Sequence, residues 1–314
     1  MAATIGIDLG GSKLLAVRQR DGVIEAEQRF SAPAVPNGLS AAVIEAARHL
    51  WAEGIAAVGV GVAALVRWPA GVLVWGPHVT DTDVHLREAL IEEFGVPAVV
   101  DNDANMSLYG ERALGAARDY NEVVLVTLGT GIGGAVMLDG RIQRGTSFAG
   151  EWGHTLYDSG GLQCACGRRG CWETRASGPA LLRLASQFVT DNPDGAMAGM
   201  LGGEPATAEA ITRAADAGDE SARALVAQVG VHLGHGLCNL IAIFDPEVVI
   251  VGGGLGSVGE ALLGPARRVA ADALHGGSYR RVPPILVASL GPAAGAVGAA
   301  AMAQDLTSGR LQLV

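Results

Sequence analysis

The stretch IGIDLGGSKLLAV, residues 5–17, has a counterpart 119 residues further on in VLVTLGTGIGGAV, residues 124–136. In each, an apolar run of strand character meets a glycine turn and then resumes as a second apolar run. Aligned, Asp8 falls opposite Thr127 and Gly10 opposite Gly129. A unit present twice predicts an α/β chain of two similar lobes facing each other across a cleft. Strand–turn–strand is also a common local arrangement, and the repeat by itself does not choose between the two.

Working outward from the first copy, strands are expected over 4–9, 14–20 and 23–30, with Asp21-Gly22 as a hairpin turn. A helix over 40–51 would take Ser40 as its N-cap. The apolar run 56–66 suits a buried strand, 83–94 a helix and 98–100 a short strand. From the second copy, strands are expected at 122–128 and 134–138. The segment 188–205, rich in Gly, Asp and Met, reads as a surface excursion. Helices are expected at 207–217 and 221–244, the latter ended by Asp245-Pro246, since a residue before proline avoids the helical region. Strands at 248–251 and 285–290 and a small-residue helix at 295–304 complete the chain.

The formal net charge of -10 disfavours a broad nucleic-acid surface, which selects faces rich in Lys and Arg. It leaves room for a single nucleotide, which needs only local donors. No run of about 18 apolar residues suggests a membrane span, and the N-terminus lacks the basic and apolar regions of a signal peptide. The expected location is the cytoplasm. There, the cluster Cys164, Cys166 and Cys171 reads as a metal site more readily than as a disulfide.

Four constellations carry chemistry. In the first, Asp8, Gly10, Gly11, Ser12 and Lys13 form a strand-to-turn segment whose amides can cradle phosphate, with Asp8 beside a phosphate-bound Mg²⁺. An ordinary hairpin explains the same pattern. In the second, Thr130, Gly131 and Gly133 offer a further phosphate clamp, and Gly253 and Gly254 a flat surface for a base or ribose. The third is Asp101-Asn102-Asp103, at a strand end before a helix. Asp103 there is either a helix cap or the base that takes a proton from an attacking hydroxyl. The fourth is His154 with Cys164, Cys166 and Cys171, a Cys₃His set suited to structural Zn²⁺, with four protein ligands and no open position. Glu151 and Glu173 flank it and read as acceptors for sugar hydroxyls, or as solvated surface charge.

Together these residues resemble the ROK family, named for repressors, open reading frames and kinases. DLGGSK and LGTGIGGAVMLDGRIQRG are similar to its two phosphate segments, and DNDAN to its END-A-N motif. AGEWGH with CACGRRGCWE resembles its substrate and zinc signature, and DPEVVIVGGG its adenosine-side motif. The resemblance implies a two-lobed actin/hexokinase-like (ribonuclease H-like) ATPase fold. Its lobes would be 1–117 and 118–290, with 291–314 returning to the first. It implies ATP with Mg²⁺ as donor, Zn²⁺ as structural metal, Asp103 as catalytic base, and Asn102, Glu151, His154 and Glu173 at the sugar. His154 would use one ring nitrogen for the metal and the other for the sugar. A homodimer is implied as well. Repressors of the family carry a helix-turn-helix ahead of the first motif, and the seven residues before Asp8 leave no room for one.

The expected reaction is phosphorylation of a hexose primary hydroxyl, glucose to glucose 6-phosphate. The chain departs from the glucokinase branch of actinobacterial type at Asp101, where the END motif usually opens with Glu, and at two loop features. Where a Gly/Pro-rich loop ending in Val-Asp is usual, this chain has Gly61 to Arg67, including Ala64, and His78 stands where an Asn usually follows proline. Both belong to the wall around the sugar. A C7-cyclitol or amino sugar therefore stays open as the acceptor, polyphosphate as a donor, and a non-catalytic sugar sensor as an alternative role.

Overall fold

The computed structural model describes residues 2–11, 13–31, 38–76, 83–193, 197 and 207–313. In chain order the elements are β1 (Ala3–Leu9), β2 (Lys13–Arg20), β3 (Val23–Ser31), α1 (Gly38–His49), β4 (Ile55–Val62), β5 (Leu65–Arg67), β6 (Val72–Trp75), β7 (Val84–His85), α2 (Leu86–Phe94), β8 (Ala98–Asn102) and α3 (Asp103–Leu114). There follow β9 (Val123–Leu128), β10 (Ile132–Leu138), β11 (Arg141–Ile142), α4 (Gly178–Asp191), α5 (Ala208–Asp216), α6 (Glu220–Phe244), β12 (Val248–Gly252), α7 (Gly253–Gly256), α8 (Glu260–Ala273), β13 (Ile285–Val287) and α9 (Ala294–Thr307). The chain separates into two compact units. Unit 1 is Met1–Asn121, Ala135–Gly150 and Pro292–Val314; unit 2 is Glu122–Gly134 and Glu151–Gly291.

Unit 1 is built on a sheet of order β3-β2-β1-β4-β8. The β1–β2 and β2–β3 pairs are antiparallel, and β4 lies parallel to both β1 and β8. Asp21 and Gly22 both take positive φ, as the two-residue turn of a twisted hairpin requires. Along β1 the side chains alternate. Ile5, Ile7 and Leu9 join Val43, Ala46 and Ala47 of α1 in one core. Thr4 and Gly6 point the other way, toward α9. The Thr4 hydroxyl donates to the Ala300 carbonyl at 3.0 Å. A Cβ on Gly6 would lie 2.0 Å from the Ala296 carbonyl oxygen, and one on Gly59 of β4 2.0 Å from that of Ala299. The α9 backbone thus rests directly on strand backbone, an approach that only glycine permits. Where α9 meets α3, a Cβ on Gly298 would sit 1.7 Å from the Met106 carbonyl.

Unit 2 carries the strands β9, β12 and β13, which run parallel. Its longest helix, α6, is long and apolar enough to cross a membrane by length and composition. Leu225, Val229, Leu233 and Leu237 on it are buried, and the helix packs on α8, α5 and α4. A Cβ on Gly230 would meet the Leu262 carbonyl of α8 at 2.3 Å, so these two helices also touch backbone to backbone. Asp245 closes α6 in the left-handed conformation, its N–H donating to the Ile241 carbonyl.

Several local expectations need correction. Helix α1 begins at Gly38, so Ser40 lies inside its first turn and is not the cap. The apolar run 56–66 is two strands, because the chain turns out of β4 at Ala63, whose N–H donates to the Leu9 carbonyl at 3.1 Å. The helix expected from 83 starts at Leu86, after β7. The stretch 188–205 opens with the last turn of α4, and most of its remainder lies outside the described residues. Helices α4 and α8 and the small sheet β5-β6-β7 were not anticipated.

Candidate active site

In unit 1 the chemistry gathers where β1 and β8 end. Asn102, the last residue of β8, caps α3: its Oδ1 accepts the N–H groups of Ala104 at 2.9 Å and Asn105 at 3.3 Å. Its Nδ2 donates to the Ala64 carbonyl at 3.3 Å. The Asn102 and Ala64 polar groups expected at the sugar are therefore first of all partners of the fold. The N-cap of α3 is therefore Asn102, one residue before Asp103. Asp103 is the first residue of α3, half-buried, with one carboxylate oxygen accepting the Ala104 N–H at 2.9 Å.

Burial chiefly, and the Asp101 carboxylate as well, push the Asp103 pKa above the usual carboxylate range, against the pull of the Ala104 N–H. Asp8 is raised to about 7, by burial first and by Asp103 second. Among the described residues no basic side chain offsets either charge. The Asp8 carboxylate suits a divalent ion that also carries substrate phosphates, the usual way Mg²⁺ is bound, which leaves the Asp103 carboxylate free of the ion. Asp8 lies against the first turn of α9, where a Cβ on Gly295 would come 2.6 Å from its carboxylate carbon. The turn after β1 is closed by the Gly10 N–H, which donates to the Lys13 carbonyl at 3.0 Å; Gly11 and Lys13 are exposed. Ser12 and His78 lie outside the described residues.

Arg144 in this region escaped the sequence reading. Asp101 is fully buried, and Arg144 donates from Nε to its Oδ2 at 2.7 Å. The Oδ1 atom of Asp101 accepts the Asn102 N–H at 2.8 Å and the Asn105 Nδ2 at 3.0 Å. The Arg144 guanidinium also stacks on Trp68, 3.7 Å from the ring centre. Arg144 thus braces the segment that carries Asp103. Nothing in its local pattern separates it from a surface arginine.

In unit 2 the His154 Nδ1 lies 3.7 Å from Cys164 Sγ, and Cys166 Sγ lies 3.6 Å from Cys171 Sγ. All four donor atoms fall within 4.8 Å of one another. Tetrahedral Zn²⁺ with Zn–S near 2.3 Å sets ligand atoms about 3.8 Å apart, so this donor set fits a structural zinc. Nδ1 faces the cysteines, which leaves Nε2 as the outward nitrogen of His154. Glu151 is exposed, one residue before the 3₁₀ turn Trp152–His154. Glu173 is half-buried; its Oε2 accepts the Ile132 N–H at 3.0 Å and its Oε1 lies 3.6 Å from Cys164 Sγ.

The glycines of this unit divide by what they do. A Cβ on Gly131 would strike Glu173 Oε2 at 2.3 Å, and one on Gly253, at positive φ, the Leu128 carbonyl oxygen at 2.3 Å, so the fold itself demands both. Gly129 and Gly254 have ordinary φ, and a Cβ on either would find nothing within 4 Å. The fold gives no reason for glycine at those two positions, whereas a ligand approaching the backbone would. Thr130 is exposed between Gly129 and Gly131, and Gly133 is half-buried in β10.

Comparison with known proteins bears on the family and the fold. The glucokinase of Streptomyces coelicolor is 36% identical, over 97% of this chain and 98% of that one. The crystal structure of a ROK family glucokinase from Streptomyces griseus, in complex with glucose and AMPPNP, superposes with a TM-score of 0.87 at 35% identity, covering 96% of this chain and 99% of that one. The ROK hexokinase of Thermus thermophilus gives a TM-score of 0.77 at 32% identity, over 98% and 99% of the two chains. The fold is thus the mixed α/β, actin/hexokinase-like one. The ROK family profile matches residues 4–306, nearly the whole length, and the chain belongs to the ROK family.

Proposed function

We propose that this chain transfers the γ-phosphoryl group of ATP to the primary hydroxyl of a hexose, making glucose 6-phosphate from glucose. The observation that carries this reading is Asp103. Asn102 takes over the capping, so the Asp103 carboxylate stands at the helix start with its pKa raised by burial, as a general base requires. Asp103 accepts the proton of the attacking hydroxyl as the new O–P bond forms. The bond between the γ-phosphorus and the β–γ bridging oxygen breaks, and ADP leaves with that electron pair. Similarity to the S. coelicolor glucokinase and to the glucose-bound S. griseus glucokinase supports both the donor and the acceptor.

Asp8 would hold Mg²⁺, which when bound offsets the charge of the phosphates. Gly10, Gly11, Ser12, Lys13, Thr130, Gly131 and Gly133 would meet those phosphates, and Gly254, with Gly253 beside it, the nucleoside. The Glu151 and Glu173 carboxylates would accept from sugar hydroxyls, and His154 would donate to one from Nε2–H. Zn²⁺ on His154, Cys164, Cys166 and Cys171 would set the conformation of the loop carrying two of these groups. The turn at Ala63 and Ala64 and the residue His78 favour a second reading in which the acceptor is a related polyol, a cyclitol or an amino sugar. An ADP-release assay across glucose, mannose, N-acetylated hexosamines and cyclitols tests both. Glucose turning over best is the expected result, and no ATP-dependent turnover of any polyol refutes the reading.

A further inference from the structure

The segment that follows the last cysteine grips the turn after β9 at two points. Glu173 Oε2 accepts the Ile132 N–H at 3.0 Å, on one side of the turn. The Gly178 N–H, a donor at the start of α4 that helix geometry leaves without an intrahelical partner, donates to the Gly129 carbonyl at 2.8 Å on the other side. Between these points the turn is closed by the Gly129 N–H donating to the Gly131 carbonyl at 3.0 Å. The fit is tight: a Cβ on Gly178 would lie 2.9 Å from the Gly129 oxygen, and one on Gly153 2.5 Å from the Ile132 oxygen.

The same segment is tied to the metal-site residues. It begins at Cys171, and Glu173 Oε1 lies 3.6 Å from Cys164 Sγ. Cys171 itself is held by the Thr174 hydroxyl, which donates to its carbonyl at 2.7 Å. A single short stretch therefore runs from the thiolate donors to both sides of the glycine turn.

We infer that Glu173 is a positioning residue for the Gly129–Gly131 turn, and that through it occupancy of the His154, Cys164, Cys166 and Cys171 site is linked to nucleotide affinity. This goes beyond a sugar contact for Glu173, and it rests on the proposed role of the turn in holding nucleotide phosphate. Linkage is reciprocal: if Zn²⁺ tightens nucleotide binding by some factor, nucleotide tightens Zn²⁺ by the same factor.

The test is calorimetric titration with Mg²⁺ and AMPPNP, without sugar, of zinc-loaded and chelator-stripped protein, each checked for folding by circular dichroism. Stripping should weaken nucleotide binding by about tenfold, within the usual range for coupled sites. Glu173→Ala with zinc in place should show a similar loss and little further change on stripping. Glu173→Gln, which keeps a carbonyl oxygen for the Ile132 N–H, should stay near the wild-type affinity. Should stripping unfold the chain, Zn²⁺ affinity by chelator competition, with and without AMPPNP, reads the same coupling on loaded protein. It should show about tenfold tightening in wild type and none in Glu173→Ala. Nucleotide binding indifferent to both Glu173→Ala and zinc would overturn this inference alone. No nucleotide binding by any form would overturn the proposed function with it.

Discussion

Replacing Arg144 by Met tests whether the Asp101 brace holds the catalytic segment. Asp101 is fully buried, and Arg144 is nearly so. The substitution leaves the two hydrogen bonds to Asp101 Oδ1, from Asn102 N–H and Asn105 Nδ2, and strips Oδ2 of its charged partner at 2.7 Å. Breaking one side of a buried ion pair costs about 3–5 kcal/mol. The two surviving bonds put this case at the lower end, about 3 kcal/mol, or roughly 150-fold in the unfolding constant. Urea unfolding followed by circular dichroism measures the cost, and hydrogen exchange of β8 and α3 amides should place it in unit 1. Turnover should fall by roughly ten- to a hundredfold, since Asn102 and Asp103 lose their fixed position. Adding Asp101→Asn removes the stranded charge, so the double variant should recover at least about 1 kcal/mol of the summed single losses. An Arg144→Met protein within about 0.5 kcal/mol of wild type, or two effects that simply add, refutes the brace.

Asp103→Asn should lower kcat by about 10²–10⁴ while sugar binding persists, as equilibrium titration would show. In the wild type the base must be ionised, so activity should fall as pH drops through the Asp103 pKa, which burial places above the ordinary value near 4; a pH–rate profile flat down to about that value contradicts the assignment. Gly254→Ala should leave thermal stability unchanged and weaken nucleotide binding, because nothing within 4 Å opposes the new methyl; unaltered nucleotide affinity would remove Gly254 from the site. Gly59→Ala drives a methyl to 2.0 Å from the Ala299 carbonyl and should cost about 1–3 kcal/mol or more by urea titration.

The sequence showed its central strands as short apolar runs, because β1, β4, β9 and β12 are buried nearly throughout and carry almost no polar side chains. It showed the Asp21-Gly22 turn for a comparable reason, since both residues need positive φ. The four metal-ligand types stand close in the chain, and the structure gathers their donor atoms. What stayed hidden depends on contacts distant in sequence. Arg144 reaches Asp101 across 43 residues, and Glu173 reaches Ile132 across 41. The capping expectation at Ser40 failed because a cap is set by where the helix begins, and α1 begins two residues earlier, at Gly38. Helix α8 went unseen with Pro265 inside it, a residue that ordinarily argues against a helix interior.

The bed of Gly6 and Gly59 beneath α9 also imposes an order on synthesis. Unit 1 takes its first segment from the start of the chain and α9 from the far end, with roughly 170 residues between them. At about 5–20 residues per second, translation of that interval takes roughly 10–35 s. Throughout it, the sheet face bearing Gly6, Gly59, Leu15 and Val17 has left the ribosome without the helix that covers it. Unit 2 has all its residues before α9 emerges, so it can fold first. That face of the sheet stays open to other nascent chains until α9 arrives to cover it.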